Sequence, residues 1–120
     1  MFGWFTRRKP APLLPESLWQ VALGDGTLAV TDDHGQTRSL CLDALTRVAV
    51  ETNDSGPWGA DVWWLFFTDG SEHACAFPQG ATGEAAAIGY ISALPDFDHG
   101  AMIRAMQSAD NASFPLWRKT

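Results

Sequence analysis

The stretch DVWWLFFTDGSEHACAFP, Asp61–Pro78, contains two tryptophans and two phenylalanines around one leucine in residues 63–67. Aromatic residues of this kind are enriched in β-strands. The dipeptide Asp69–Gly70 follows them and favours a two-residue type I′ turn, because the central positions of that turn require positive φ. The stretch therefore predicts a β-hairpin whose first strand is apolar on both faces, as in the centre of a sheet.

The predicted turn sets the register of this hairpin. Trp64 is expected opposite Cys75 on one face, and Trp63 opposite Ala76 on the other. Large side chains then oppose small ones and leave a shallow trough beside Trp63 and Leu65. Because side chains alternate along a strand, the two adjacent tryptophans face opposite sides of the sheet and cannot form one aromatic patch.

The remaining segments predict more strands and two helices. Residues 18–23, 27–31, 36–42 and 46–52 read as short strands between turn residues, which is typical of an antiparallel meander. After Pro78 the hydrophobic period changes from two to about 3.6, which indicates helices. Thr82 is expected to cap the first helix, and Asp96 or Asp98 the second. We predict an α+β fold: a curved antiparallel sheet of about six strands with two C-terminal helices against it.

The two predicted helices each carry an apolar face directed at the sheet. Helical spacing assigns these faces to Ala87, Ile88, Ile91 and Leu94 in the first helix and to Met102, Ile103, Met106 and Ala109 in the second. The tail after them contains Phe114 and Trp117 and is expected to be extended. Pro115 confines it to a sheet edge or a groove, since proline cannot donate a backbone hydrogen bond.

The length of 120 residues fits one domain. Residues 1–15 are interpreted as a basic and aromatic arm with a proline-rich lead-in, and residues 16–120 as a single α+β domain. The first residues lack the apolar core of a secretory signal, so a cytoplasmic location is predicted. Peripheral membrane association through Phe2–Lys9 is an alternative, but one short apolar cluster gives only marginal affinity, and membrane contact is not expected.

The charge distribution favours a basic partner over nucleic acid. The net charge is −6, with five of the eight basic residues in the two tails. Between Pro10 and Trp117, three arginines stand against all 14 acidic residues, which gives this body a net charge of −11. Such a body repels phosphate backbones and attracts basic proteins. No nucleic-acid partner is therefore predicted.

No motif for catalysis, cofactor binding or metal binding is found in the sequence. The GDGTLA segment joins two strands, whereas a dinucleotide fingerprint leads from a strand into a helix. The acidic residues of DDH and DFDHG are explained by turns and helix caps. His73 and Cys75 are expected about 7 Å apart on one strand face, too far for direct proton transfer. Cys41 and Cys75 are both interpreted as buried thiols.

These observations favour a non-enzymatic protein-interaction module without a cofactor. A specific form of this hypothesis is an immunity protein, an acidic domain that blocks a basic toxin by charge complementarity. The partner is predicted to be a basic protein or a second copy of the chain. The candidate interaction surface comprises Trp58, Trp63, Trp64, Phe67, Trp117, Asp32, Asp33 and Asp54. The alternative is a small-ligand or enzymatic site in a trough between the sheet and the helices, lined by Trp63, Trp64 and Cys75.

Two resemblances accompany this prediction. FPQGATGE, ALPDFD and RAMQSADNASFPLW resemble a family of small bacterial proteins with FP-x-GA-x-GE and LP-x-FD elements and an ending of aromatic residues, Trp and basic residues. That resemblance covers about half of the chain, from Asp61 onward, and implies no particular activity. The strands of residues 24–52 also resemble bacterial pleckstrin-homology-like domains, in which a helix closes a meander. This second resemblance implies a fold type only, because the first hairpin carries Asp25 where lipid-binding members have basic residues.

Overall fold

The computed structural model describes residues 18–56, 59–70, 72–108 and 111–119, with the side chains of 54–56 and 59–61 left undescribed. The elements in chain order are β1 (Gln20–Gly24), β2 (Thr27–Thr31), β3 (Thr37–Cys41), β4 (Arg47–Gly56), β5 (Gly59–Phe67), β6 (Cys75–Pro78), α1 (Glu84–Ser92), α2 (His99–Gln107) and β7 (Ala112–Arg118). The fold is α+β, as predicted. The predicted arm lies outside the described residues.

The described strands form two antiparallel sheets rather than one sheet of about six strands. The first sheet has the order β1-β2-β3, and the second has the order β6-β5-β4-β7. The division falls between β3 and β4, where a short 3₁₀ helix, Leu42–Ala44, redirects the chain. Leu45 then enters the core with 2% of its surface exposed. Seven strands are described in all, and the last of them, β7, follows both helices at the edge of the second sheet.

The turns of the first sheet follow from its sequence. Asp25 and Gly26 join β1 to β2 with φ values of 54° and 73°, the left-handed conformation that a tight hairpin turn needs. In the β2–β3 turn, the Asp32 carboxylate accepts hydrogen bonds from the backbone N–H groups of His34 and Gln36, at 2.8 and 2.9 Å. Such a side chain stabilises the turn by replacing a backbone acceptor.

The hairpin between β5 and β6 differs from the predicted register by two residues. Trp64 lies opposite Phe77, and Phe66 opposite Cys75, because β6 begins only at Cys75. The loop between the strands is therefore longer than a two-residue turn. Since the side-chain period of a strand is two, this shift leaves the side chains of β5 and β6 themselves on their predicted faces. It also brings the Phe66 and Phe77 rings together, with centroids 5.6 Å apart.

The inner face of the second sheet forms the main hydrophobic core. Trp64, Phe66 and Phe77 are almost fully buried there, in one cluster with residues of the first sheet and of both helices. Phe77 stacks between the other two rings, with its centroid 6.4 Å from that of Trp64. Aromatic side chains of this size contribute the largest apolar areas to a core. The predicted division of Trp63 and Trp64 between opposite faces is confirmed.

Helix α1 begins one residue later than predicted. Its N-cap is Gly83, with φ 88°, and not Thr82. Thr82 instead bridges to the first sheet: its carbonyl accepts from the Val21 N–H, and its N–H donates to the Trp19 carbonyl, both at 2.8 Å. The side chain at position 83 must be a hydrogen, because a Cβ there would overlap the Val21 carbonyl oxygen. This junction holds β1 against the start of α1.

Helix α2 begins at the predicted cap but faces the core differently. The Asp98 carboxylate accepts from the Ala101 N–H at 2.8 Å. Ala101 and Ala105 form the buried face, while Ile103, predicted to be buried, is 54% exposed. Small side chains on this face bring the helix close to β4 and β7. Met102 and Met106 are half-buried, and Ala109 lies outside the described residues.

The predicted extended tail is confirmed as the edge strand β7, paired with β4. Leu116 is buried, and its carbonyl accepts from the Asp98 N–H at 2.8 Å. The Trp117 indole N–H donates to the Pro95 carbonyl at 2.9 Å. These bonds tie the edge strand to the segment that joins the two helices.

The two cysteines differ, although both were predicted to be buried. Cys75 is fully buried, whereas Cys41 is exposed on β3, where Leu40 takes the inward-facing position. Neither forms a disulfide. In the part of the chain that the structure describes, neither helix has the length and apolar character needed to cross a membrane.

Candidate functional site

A groove of about 410 Å³ lies between the first sheet and the outer face of the second sheet. Its floor belongs to a small apolar cluster on that outer face, formed by Ala49, Leu65 and Phe67 with Trp63 and Ala76 packed against them. The cross-strand register explains this set. Leu65 lies between Ala49 on β4 and Ala76 on β6, so a large side chain is flanked by two small ones.

Two tryptophans form one end of the groove. The ring centroids of Trp19 and Trp63 are 5.3 Å apart, with an angle of 85° between the ring planes. This edge-to-face arrangement is a favourable one for aromatic pairs. Both side chains are half-buried and line the groove. Trp19 reaches this position from the residue just before β1, which the hydrogen bond to Thr82 fixes in place.

The first sheet supplies the opposite wall of the groove. Arg38 on β3 is the cross-strand partner of Val30 on β2, so both side chains lie on the same face of that sheet. Gln36 and Asp32 extend the wall into the β2–β3 turn. Arg38 is exposed, and its guanidinium forms no ion pair with any residue in the described ranges.

Strand β4 supplies polar groups on the other side of the groove floor. Glu51 lies directly opposite Trp63 in the β4–β5 register, and Asn53 follows two residues later on the same face. Glu51 is exposed. Across residues 18–56, 59–70, 72–108 and 111–119, its carboxylate has neither a hydrogen bond nor an ion pair. An anionic group thus stands beside the indole ring of Trp63.

The electrostatics of the groove are set by two carboxylates, one guanidinium and one imidazole. The backbone N–H of Gln36 donates a hydrogen bond to the Asp32 carboxylate and lowers the pKa of this carboxylate below its usual 3.8. Partial burial opposes the shift. The hydrogen bond from the His34 N–H and the charges of His34 and Arg38 lower the pKa further. Asp32 therefore stays ionised at neutral pH. By formal charge, with histidine counted as neutral, the Asp32, Glu51 and Arg38 side chains give the groove lining a charge of −1.

His73 and Cys75 lie on different sides of the second sheet. His73 precedes β6, lines the groove and meets the Phe67 ring edge-on, with centroids 6.3 Å apart. Cys75 is fully buried in the main core, and this burial raises the pKa of its thiol, with a smaller opposite effect from Arg38. The expectation that both share one strand face was wrong, because the strand begins only at Cys75. The geometry gives no nucleophile and base pair.

Phe67 is covered by neighbouring side chains. The Arg47 guanidinium lies 3.8 Å from the Phe67 ring centroid, in a cation–π contact. With Arg47 on one side and His73 on another, only 7% of Phe67 is exposed. Phe67 therefore supports the floor of the groove without being available to a partner.

The structure separates the predicted site residues into three groups. Trp63 and Asp32 line the groove. Trp64 is buried in the main core, Phe67 is covered, and Trp117 is bound to the helix connection, so these three do not join them. Asp33 is exposed and lies 3.8 Å from the His34 ring nitrogen. Trp58 and the side chain of Asp54 lie outside the described residues.

The predicted trough exists beside Trp63 and Leu65, but its position differs from the prediction. It is lined by residues of the two sheets and by none of the helices. Trp64 and Cys75 are consequently not part of it. Trp19, Arg38 and Glu51 were missed. Alternation along the strands could have given their faces, but no pattern in the sequence tells which sheet faces which.

The described residues contain no group of three or more His, Cys, Asp or Glu side chains placed to hold a metal ion. Comparisons with protein-family models, curated proteins and solved structures found no match. The resemblance of the C-terminal half to a family of small bacterial proteins, and that of the strands to pleckstrin-homology-like domains, therefore stay predictions. The site is interpreted from its own residues.

Proposed function

We propose that this protein is a non-catalytic binding protein whose ligand lies in the groove between its two sheets. The observation that carries the proposal is the composition of the groove, which has an apolar floor with Trp19, Trp63 and Leu65 and polar side chains along its margins. Its volume of about 410 Å³ falls within the range of roughly 300–1,000 Å³ that is usual for small-molecule sites. Apolar contact supplies affinity in such sites, and the polar groups orient the ligand.

The ionisable groups of the groove support binding rather than catalysis. A catalytic acid or base has a pKa shifted toward neutral pH. The pKa of Asp32 is shifted away from it, and its carboxylate is occupied by two backbone N–H groups. Cys75, the buried thiol, lies on the far side of the sheet.

A thermal-shift screen of the pure protein against small anionic, neutral and cationic metabolites tests this proposal. Ligands that bind the folded state raise the melting temperature. Ala76→Phe fills the groove and is expected to abolish that rise, while Ala22→Phe, at an exposed position of β1, is expected to preserve it. If no compound stabilises the protein, or if both variants respond equally, the groove is not the binding site.

A second candidate, an acidic module that blocks a basic protein, is supported by the state of the charged side chains. None of the arginine and lysine side chains in the described part of the chain forms an ion pair with a carboxylate. The carboxylates of the described residues therefore have no direct arginine or lysine partner, and their field attracts a basic surface.

This second candidate predicts that a basic protein is encoded beside the gene and binds the chain when both are purified. Binding is expected to weaken steeply with added salt, since screening shortens the range of the field. Salt-insensitive binding, or none, would remove the hypothesis. A homodimer would appear instead as a mass that doubles with concentration.

A further inference from the structure

We propose that the corner formed by Trp19 and Trp63, with Glu51 beside it, binds an organic cation. The cation is an alkylammonium or guanidinium group, carried either by a free small molecule or by a basic side chain of a polypeptide. This inference rests on the proposed binding function of the groove and names the chemical class that the groove takes.

The ring geometry supports a cation at this position. Trp19 and Trp63 meet almost perpendicularly, at 85°, with centroids 5.3 Å apart. Two perpendicular rings form two sides of a box, and both line the groove. The face of an indole ring carries partial negative charge and attracts a cation, most strongly among the aromatic side chains. Recognition of alkylated ammonium groups uses aromatic boxes of this kind.

Glu51 supplies the compensating charge. It is the direct cross-strand partner of Trp63, a position at which side-chain Cβ atoms stand about 5 Å apart. Its carboxylate has no partner in the described part of the chain and is exposed. A cation against the Trp63 ring would therefore meet an available anion without breaking an existing ion pair.

The distribution of charge across the groove places the cation on the Glu51 side. Arg38 belongs to the opposite wall, on β3 of the first sheet, whereas Glu51 and Trp63 belong to the second. The two carboxylates of the groove outnumber its one guanidinium, and the whole chain carries a net charge of −6. A negative field of this kind steers cations to the site and repels anions.

The test compares choline with its uncharged isostere 3,3-dimethylbutan-1-ol and with benzoate, using the indole N–H resonances of the ¹⁵N-labelled full chain. Choline is expected to shift the resonances of Trp19 and Trp63 and to bind about fivefold tighter than the isostere, as a partly exposed cation–π contact implies. Glu51→Gln is expected to weaken choline binding about fivefold. Asp43→Asn removes an exposed carboxylate outside the groove and is expected to leave it unchanged.

Two further probes separate the sources of the cation. If a peptide containing trimethyl-lysine or arginine binds more tightly than choline, the natural source is a polypeptide side chain; the reverse order indicates a free amine. Equal binding of choline and its isostere, or tighter binding of benzoate, overturns the cation site while the groove remains a binding site. If no probe shifts the Trp19 or Trp63 resonance, the proposed function fails with it.

Discussion

The two faces of the second sheet differ in a way that a single pair of residues shows. Trp64 points into the main core, where 2% of it is exposed and its indole N–H has no hydrogen-bond partner in the described part of the chain. Trp63, the preceding residue, points to the outer face and is half-buried at the groove. Identical side chains on one strand thus serve the stability of the fold on one face and a surface on the other.

The cause of this difference is what covers each face. The inner face shares one apolar cluster with the first sheet and with both helices. The outer face carries Arg47 over Phe67, and residues of the first sheet stand across the groove from Trp63 and Leu65. A partly covered aromatic surface with polar margins is typical of binding sites. The groove is therefore the region of this sheet where the fold leaves room for another molecule.

The largest expected difference between the two faces is in the free energy of unfolding after each tryptophan is replaced by alanine. Trp64→Ala is expected to lower the free energy of unfolding by about 3–5 kcal/mol, since it leaves a large cavity in a packed core. Trp63→Ala, the matched variant, should cost about 1 kcal/mol, as is common for partly exposed positions. Urea unfolding of both variants measures these values. Equal losses would show that the two faces are covered alike.

A second prediction concerns the junction that holds the first sheet in place. Gly83→Ala is expected to cost at least about 2 kcal/mol, because its Cβ would meet the Val21 carbonyl and its φ of 88° is unfavourable for alanine. Gly89→Ala, in the interior of α1 with open space around it, should instead stabilise the protein by about 0.5–1 kcal/mol. Thermal unfolding compares them. An unaffected Gly83→Ala protein would contradict the close approach of Val21.

The smallest expected effect concerns the two thiols, Cys75 on the inner face of the second sheet and Cys41 on the exposed side of β3. Cys41 should react quickly with a thiol reagent in the native protein, and Cys75 only after unfolding. Burial raises the pKa of Cys75 above its usual 9.0, so the neutral thiol is favoured in the folded state. Its contribution to stability is complete below pH 9 and is lost as the pH rises through the higher folded value.

The slope of unfolding free energy against pH above pH 9 checks this effect. It should be smaller in Cys75→Ala than in the parent protein, whereas Cys41→Ala should leave it unchanged. Rapid reaction of both thiols in the native protein would mean that the inner face is open to solvent.

The sequence predicted the local features of this fold and missed how its layers meet. The alternation of Trp63 and Trp64 is confirmed; of the alternatives that the sequence left open, Asp98 rather than Asp96 caps α2, and the tail lies at a sheet edge rather than in a groove. The start of β6 was misplaced because Asp69–Gly70 strongly favours a tight turn, whereas β6 begins only at Cys75 and Trp64 pairs with Phe77. Both registers place the same side chains on the inner face, so alternation alone does not distinguish them.

The composition of the groove could be predicted only on one of its sides. Trp63 and Leu65 follow from the hairpin, but Trp19 and Arg38 reach the groove through the fold of the first sheet over the second. The position of the first sheet depends on the bridge between Thr82 and β1, which joins residues about 60 positions apart. A contact between such distant residues produces no periodic pattern in the sequence, so it could not be predicted. Cys41 was misplaced for a related reason, since Leu40 and not Cys41 faces the other sheet.

The solvent accessibility of the Trp63 and Trp64 indole groups distinguishes an open outer face of the second sheet from a closed one. A soluble gadolinium chelate broadens the NMR signals of protons that it can approach, and the indole N–H resonances of Trp63 and Trp64 report the two faces separately. Strong broadening of the Trp63 signal with a sharp Trp64 signal is the predicted result. Equal protection of both signals would contradict the open groove, and with it the proposed binding function.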